Sequence, residues 1–158
     1  MLKFVRKNFS IMAPVDGKAV DLEEVADGVF SNKVAGEGIA IQPTGDVIVA
    51  PADGKLSLIF KTNHAFGMVL DNGVEVLVHI GIDTISLDSN GFKPIAKEGD
   101  IVKAGEQIIE IDREFILSKG YSLITSVIIT NSDELKEIQC NINIDVKAGQ
   151  DVVIRYKL

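Results

Sequence analysis

The chain has 158 residues, of which 46% are hydrophobic and 25% charged, and its net charge is −7. That is enough length and apolar content for a packed core, so disorder is excluded, and the acidic balance argues against nucleic acid, whose binders neutralise phosphates with basic patches. No apolar run approaches the roughly 18 residues a membrane helix needs, and a lone cysteine rules out an internal disulfide.

Residues 1–10 mix Leu2, Phe4, Val5 and Phe9 with Lys3, Arg6 and Lys7. They lack the apolar stretch and cleavage site of a secretory signal. They are expected to form a loosely held N-terminal segment or a first strand of a single domain spanning 1–158, in the cytoplasm. Next comes Ala13-Pro14-Val15-Asp16-Gly17-Lys18, which recurs 37 residues later as Ala50-Pro51-Ala52-Asp53-Gly54-Lys55. Pro and Asp-Gly at these spacings direct a turn into a strand, and the echo suggests two similar supersecondary units.

Strand signals dominate the rest, as short Val- and Ile-rich runs separated by Asp-Gly, Asn-Gly and Pro-containing turns. They predict strands over 38–42, 46–49, 54–62, 68–70, 74–80, 107–111, 125–130, 138–144 and 151–156. A further turn-and-strand pattern runs over 98–106. Helical periodicity is confined to 113–119, with Asp112 as N-cap and Gly120 beyond its C-terminus, and to single turns near 22–26 and 133–136. Cys140 alternates with Ile138, Ile142 and Ile144, which reads as a buried structural thiol. The predicted class is mainly β, an antiparallel sandwich or distorted barrel with Greek-key or jelly-roll-like connections and only short helices.

The chain has two histidines. In the run 74–80, period-two geometry turns Val74, Val76, Val78 and Ile80 inward and Glu75, Leu77 and His79 outward. Asn72-Gly73 reads as a two-residue type I′ hairpin loop, which would set His79 opposite Phe66. His64 would then be a diagonal neighbour of His79, roughly 7–8 Å away at the backbone, with the Thr62 hydroxyl on the same face. A one-residue bulge near Gly67 would undo that arrangement. A neutral imidazole is a good nucleophile near pH 7 and can accept a phosphoryl group while a second histidine binds the phosphate oxygens. Two histidines can also hold zinc, but the rest of the ligand set would have to come from water or a partner. An ordinary pair of surface histidines is the third reading.

Thr62-Asn63-His64-Ala65-Phe66, Gly73-Val74-Glu75 and Val78-His79-Ile80-Gly81-Ile82-Asp83-Thr84 closely resemble the glucose-family IIA domain of the bacterial phosphoenolpyruvate-dependent sugar phosphotransferase system. The likeness extends through 13–17, 36–41, 91–92 and 98–105, and covers nearly the whole chain from residue 10 onward. It implies a fold related to the duplicated hybrid motif and a phosphotransferase with a phosphohistidine intermediate and no required cofactor. By resemblance, His79 is phosphorylated on Nε2 by the histidine-containing phosphocarrier protein and donates to a cysteine of a transporter's IIB domain. His64 stabilises the phosphoryl group and Thr62 fixes its tautomer. Asp27 and Asp83 form an acidic rim, and Phe30, Val34, Phe60, Leu77 and Ile85 an apolar docking face. Regulatory protein targets, a monomeric state and zinc at His64 and His79 within a partner complex belong to the same set of implications.

The chain departs from some relatives at Leu77, where an aromatic stands, and at Ser86, where an acid stands. Its N-terminus lacks a long amphipathic extension, so no membrane anchoring is expected. The remaining alternatives are a biotinyl or lipoyl carrier modified on Lys18 or Lys55, a zinc-dependent hydrolase, and a purely regulatory interaction module.

Overall fold

A computed structural model describes residues 8–158. The β-branched runs form fourteen strands among the described residues. In chain order they are β1 (Asn8–Met12), β2 (Gly17–Asp21), β3 (Glu37–Pro43), β4 (Val47–Val49), β5 (Gly54–Ile59), β6 (Ala65–Leu70), β7 (Glu75–Ile80), β8 (Phe92–Pro94), β9 (Ile101–Val102), β10 (Gln107–Ile111), β11 (Thr125–Ile129), β12 (Glu137–Cys140), β13 (Ile144–Val146) and β14 (Val152–Lys157). Every ladder is antiparallel. One sheet has eight strands in the order β13-β2-β3-β11-β7-β6-β5-β9, flanked by three-stranded sheets β1-β14-β12 and β4-β10-β8. This is the antiparallel, mainly β sandwich expected from the sequence.

The one α-helix among the described residues, α1 (Arg113–Ser118), begins where the Asp112 carboxylate accepts the Phe115 N–H at 3.0 Å, and Gly120 beyond it is left-handed at φ +86°. Single 3₁₀ turns occupy Leu22–Glu24, Thr84–Leu87 and Ser132–Glu134. Two expected strands differ. The run 54–62 stops at Ile59, because the Asn63 N–H closes a turn on the Phe60 carbonyl at 2.8 Å. The run 138–144 splits at left-handed Asn143 (φ +62°) into β12 and β13, which belong to different sheets. Strand β8 stands where none was predicted, whereas β1 supplies the first strand expected near the N-terminus, running on to Met12, and β2 the strand expected after the Asp16-Gly17 turn. Residues 8–10 of the N-terminal segment pair with β14, and 1–7 lie outside the described residues.

The eight-strand order is palindromic about the β11/β7 pair, and the sequence echo explains it. Both copies are gripped alike. Met12 N–H donates to the Pro51 carbonyl and Val49 N–H to the Pro14 carbonyl, each at 2.7 Å. Asp16 accepts the Ala148 N–H and Asp53 the Ala104 N–H, each at 2.8 Å. Gly17 of β2 pairs with Val146, as Gly54 of β5 pairs with Val102. The duplication thus puts β7 and β11 at the centre of the widest sheet, where both neighbours hold each strand.

The main core lies under β6 and β7: Phe66, Met68, Val76, Val78 and Ile80 are all at most 2% exposed. Each such side chain contributes roughly 1.5–3 kcal/mol by leaving water. A second cluster on the other side of the eight-stranded sheet joins Val20, Leu22, Val25, Phe30, Ala40, Ile124 and Ile128, with Leu77 and Ile82 at its margin. Cys140 is half-buried against the main core, and burial pushes its thiol up to about 11, so it stays protonated at neutral pH.

The hairpin between the histidines differs from the expected one by a single residue. Gly73 (φ +87°) is the only left-handed residue of the loop, whereas a type I′ loop needs two. The Asn72 side chain is committed elsewhere: its amide donates to the Tyr156 hydroxyl at 2.8 Å and its carbonyl accepts the Val74 N–H at 3.1 Å. Asp71-Asn72-Gly73 therefore forms a three-residue loop, closed by Leu70 N–H on the Val74 carbonyl at 2.9 Å. His79 consequently faces Ala65, not Phe66. In this register strict alternation would send His64 to the core side with Phe66 and Met68. It escapes because β6 starts only at Ala65 and the preceding residue, Asn63, is left-handed at φ +57°.

Candidate functional site

His79 projects from the outer face of β7 with small neighbours on both sides, Ala65 on β6 and Ser126 on β11. They leave room for two rings. His64 and His79 stand edge to face with centroids 5.0 Å apart. Phe30 packs on His79 at 4.9 Å and Phe60 on His64 at 5.3 Å. His64 is 3% exposed and His79 half-buried.

Each imidazole is held through Nδ1. His79 Nδ1–H donates to the Gly81 carbonyl at 3.0 Å, which leaves the lone pair on Nε2. Gly81 has φ +78°, and a side chain there would meet Thr84 at 2.5 Å and the Ser122 carbonyl at 2.6 Å, so only glycine fits the bend that aims this carbonyl. The Thr84 hydroxyl ties the bend to the end of β7 by donating to the Ile80 carbonyl. His64 Nδ1 meets the Thr62 hydroxyl at 2.5 Å. If Thr62 is the donor, His64 carries its proton on Nε2.

Burial lowers the pKa of both rings. His64 falls to about 4, through desolvation first and the His79 charge second. His79 falls less far, because the Gly81 carbonyl and the carboxylates of Asp27 and Asp83 favour its charged form. At pH 7 both rings are neutral, and Nε2 of the half-buried His79, which carries the lone pair, can act as a nucleophile.

The other expected residues fall as follows. The Asp27 carboxylate accepts the N–H groups of Val29 at 3.1 Å and Phe30 at 2.9 Å, fixing the turn that lays Phe30 over His79. Phe30 is only 8% exposed, so it walls the histidine more than it meets solvent. Leu77 lies two residues before His79 on the same face and is half-buried. Val34 and Ile85 are open to solvent, at 76% and 56% exposure. Asp83 is exposed and left-handed, φ +58°, at the start of the turn that carries Ile85. Sequence reasoning did not single out the Gly81 carbonyl, Ala65, Ser126 or the half-exposed Val29.

Two imidazoles fall short of the three or four protein ligands of a zinc site, and no group of three or more His, Cys, Asp or Glu side chains gathers among the described residues. Lys18 and Lys55 lie within β2 and β5, paired on both sides, rather than at a hairpin tip. A groove of about 760 Å³ beside α1, lined by Asp46, Glu110, Arg113 and their neighbours, includes neither histidine. No helix among the described residues is long and apolar enough to cross a membrane.

The fold and site together define a duplicated antiparallel β protein bearing a shallow paired-histidine surface. Residues 9–135 match the family model described as phosphoenolpyruvate-dependent sugar phosphotransferase system, EIIA 1, and the chain belongs to that family. It is 46% identical over 147 residues to the glucose-specific EIIA component of Haemophilus influenzae, covering 93% of this chain and 88% of that protein. It is 39% identical over 150 residues to the same component of Oceanobacillus iheyensis, covering 94% and 90%. The N-acetylglucosamine-specific EIICBA component of Klebsiella pneumoniae is 43% identical over 94% of this chain, which spans 23% of that longer protein. Among solved structures, glucose permease IIA from Mycoplasma capricolum superposes with a TM-score of 0.89 at 38% identity, covering 98% of this chain and 99% of that one.

Proposed function

We propose that this chain is a cytoplasmic, monomeric, single-domain phosphoryl carrier in which His79 Nε2 is the transferring atom. The lone pair on Nε2 attacks the phosphorus of the phosphohistidine on the histidine-containing phosphocarrier protein. The donor's P–N bond breaks as a P–N bond to His79 forms. In the second half-reaction a cysteine thiolate of a IIB domain attacks the same phosphorus, the S–P bond forms and His79 leaves as neutral imidazole. The observation that carries this reading is the Nδ1–H bond from His79 to the Gly81 carbonyl, which puts the lone pair on Nε2.

His64 offers its Nε2–H to the phosphoryl oxygens when the Thr62 hydroxyl donates to Nδ1. The apolar surround of Phe30, Phe60, Leu77, Val34 and Ile85 excludes water while a partner is docked, since transfer of this kind is largely positioning and charge stabilisation. Asp27 and Asp83 form a rim that speeds encounter with a basic partner. Relatives with glucose-specific names support a glucose-type transporter as the acceptor, and the same exposed face can receive regulatory proteins. Zinc would enter only if a partner supplied the ligands that this chain lacks.

Incubation with phosphoenolpyruvate, the first enzyme of the system and the phosphocarrier is expected to place one acid-labile phosphate on each chain. His79→Ala abolishes it; His64→Ala accepts it but passes it on poorly. Acid-stable phosphate on Ser or Thr, or full labelling of His79→Ala, would overturn the reading.

A further inference from the structure

Six non-glycine residues among the described ones have left-handed backbone, and four of them, Asn63, Asp83, Asp88 and Ser89, lie in the two segments that frame the histidines. Such conformations persist only where the surroundings over-determine them. Here the surroundings connect the two segments. Ser89 Oγ donates to the Lys61 carbonyl at 3.1 Å, and Asn63 Nδ2 donates to Ser89 Oγ at 3.4 Å. The contacts fall on either side of Thr62, the partner of His64 Nδ1. The far end of the connection is equally anchored. Phe92 N–H donates to the Ser89 carbonyl at 3.1 Å, and the Thr84 hydroxyl binds the Ile80 carbonyl, one residue after His79. A circuit of hydrogen bonds therefore runs from the His79 end of β7, through the loop after it, to the turn that carries His64.

We infer that Ser89 and Asn63 form a latch that sets the position of His64 relative to His79. Both are positioning residues that act through Thr62 and His64 and do not touch the phosphoryl group. The inference rests on the role given to His64 above. It explains why two residues without chemistry of their own adopt left-handed backbone beside the site. It also explains how His64 keeps its place although the β6 register would turn it toward the core.

A contact that merely stabilises two loops and one that positions His64 respond differently to glycine. Ser89→Gly and Asn63→Gly remove the side-chain contacts yet suit the left-handed backbone. The test compares both variants, the double variant and His64→Ala with the natural chain, in three measurements. These are single-turnover transfer from the phosphorylated chain to a purified glucose-type IIB domain, NMR titration of the His64 ring in the unphosphorylated chain, and thermal unfolding.

Asn63→Gly, which removes one contact, is expected to slow onward transfer about fivefold, the loss of one ordinary hydrogen bond, and Ser89→Gly, which removes both, at least as much. The double variant should be little slower than Ser89→Gly, because the Ser89 hydroxyl takes part in both contacts. His64 should titrate closer to the ordinary histidine value as its ring gains water, with no matching loss of thermal stability. Natural transfer rates together with an unmoved His64 titration in both variants would overturn the latch. If His64→Ala itself transfers at the natural rate, the role of His64 falls, and the titration alone then decides the latch.

Discussion

Protonation of His64 gives the site a measurable signature in stability. Burial holds its folded pKa at about 4, against 6.5 for a free histidine. Between those values the unfolded chain binds a proton that the folded chain refuses, so stability falls as the pH drops. The contribution is whole above pH 6.5 and has been lost by about pH 4. A displacement of this size corresponds to about 3 kcal/mol, of which roughly 2–3 kcal/mol is lost by about pH 4.5. Water near the ring screens part of this effect, so about 3 kcal/mol is its upper bound. Urea unfolding at pH 7.5 and pH 4.5 should show a loss in the natural chain that exceeds the loss in His64→Gln by up to that amount. The carboxylates are present in both chains and cancel in the comparison, while His79, whose charge acts on His64, is followed separately by NMR. NMR titration adds a direct reading, because His64 should change protonation near pH 4. Titration of His64 near 6.5, or equal pH dependence in the two chains, would refute the claim that burial sets its charge.

Thr62→Val keeps the shape and removes the hydroxyl bound to His64 Nδ1. It should cost about 1–3 kcal/mol for a buried unpaired nitrogen and slow onward transfer at least about fivefold; unchanged transfer would show that Thr62 does not fix the tautomer. Gly81→Ala forces a side chain onto the Ser122 carbonyl at left-handed backbone. It should cost roughly 2 kcal/mol or more in thermal or urea unfolding and slow phosphorylation of His79; a loss below about 0.5 kcal/mol would contradict the crowding. Ile85→Lys changes a side chain that is 56% exposed. Stability should stay within about 0.5 kcal/mol while the KM for the phosphocarrier rises several-fold in a transfer assay; an unchanged KM would remove Ile85 from the docking face.

The parts of this molecule that depend on local pattern were readable in its sequence. Alternation in 74–80 separated Val76 and Val78 from His79 correctly, and Asp112 and Gly120 marked the ends of α1. What failed depended on distant partners. Asn72 looks like half of a type I′ loop until Tyr156, 84 positions away, takes its amide. The loop takes three residues in place of two, and the register moves by one residue. The histidines still meet, but because of the turn at Asn63 and not because of the cross-strand diagonal. Val102-Lys103-Ala104-Gly105 recurs as Val146-Lys147-Ala148-Gly149, a legible echo that marks the second half of the duplication. The Gly81 carbonyl was invisible in principle, since a backbone acceptor carries no residue signature. The proposed docking face rests on resemblance alone, because exposed Val34 and Ile85 satisfy no periodicity.

In the proposed carrier, phosphorylation of His79 would also change the charge of His64. A phosphoryl group on His79 brings negative charge next to a ring whose centroid lies 5.0 Å from that of His79. At an effective dielectric constant of about 20, a unit charge at about 5 Å favours the protonated imidazole by about 3 kcal/mol. That is comparable to the burial penalty that holds the free ring near 4. His64 in the phosphorylated chain should therefore titrate well above its value in the free chain, near or beyond the ordinary 6.5. The second histidine would then be a neutral hydrogen-bond donor during loading and a cation during release, when a thiolate adds further negative charge to the transition state. Titration of both rings before and after phosphorylation, with His79→Ala as the unphosphorylated reference, measures the change. An equal or lower His64 pKa after phosphorylation would mean that the ring does not share the field of the phosphoryl group, and its assistance would have to be steric alone.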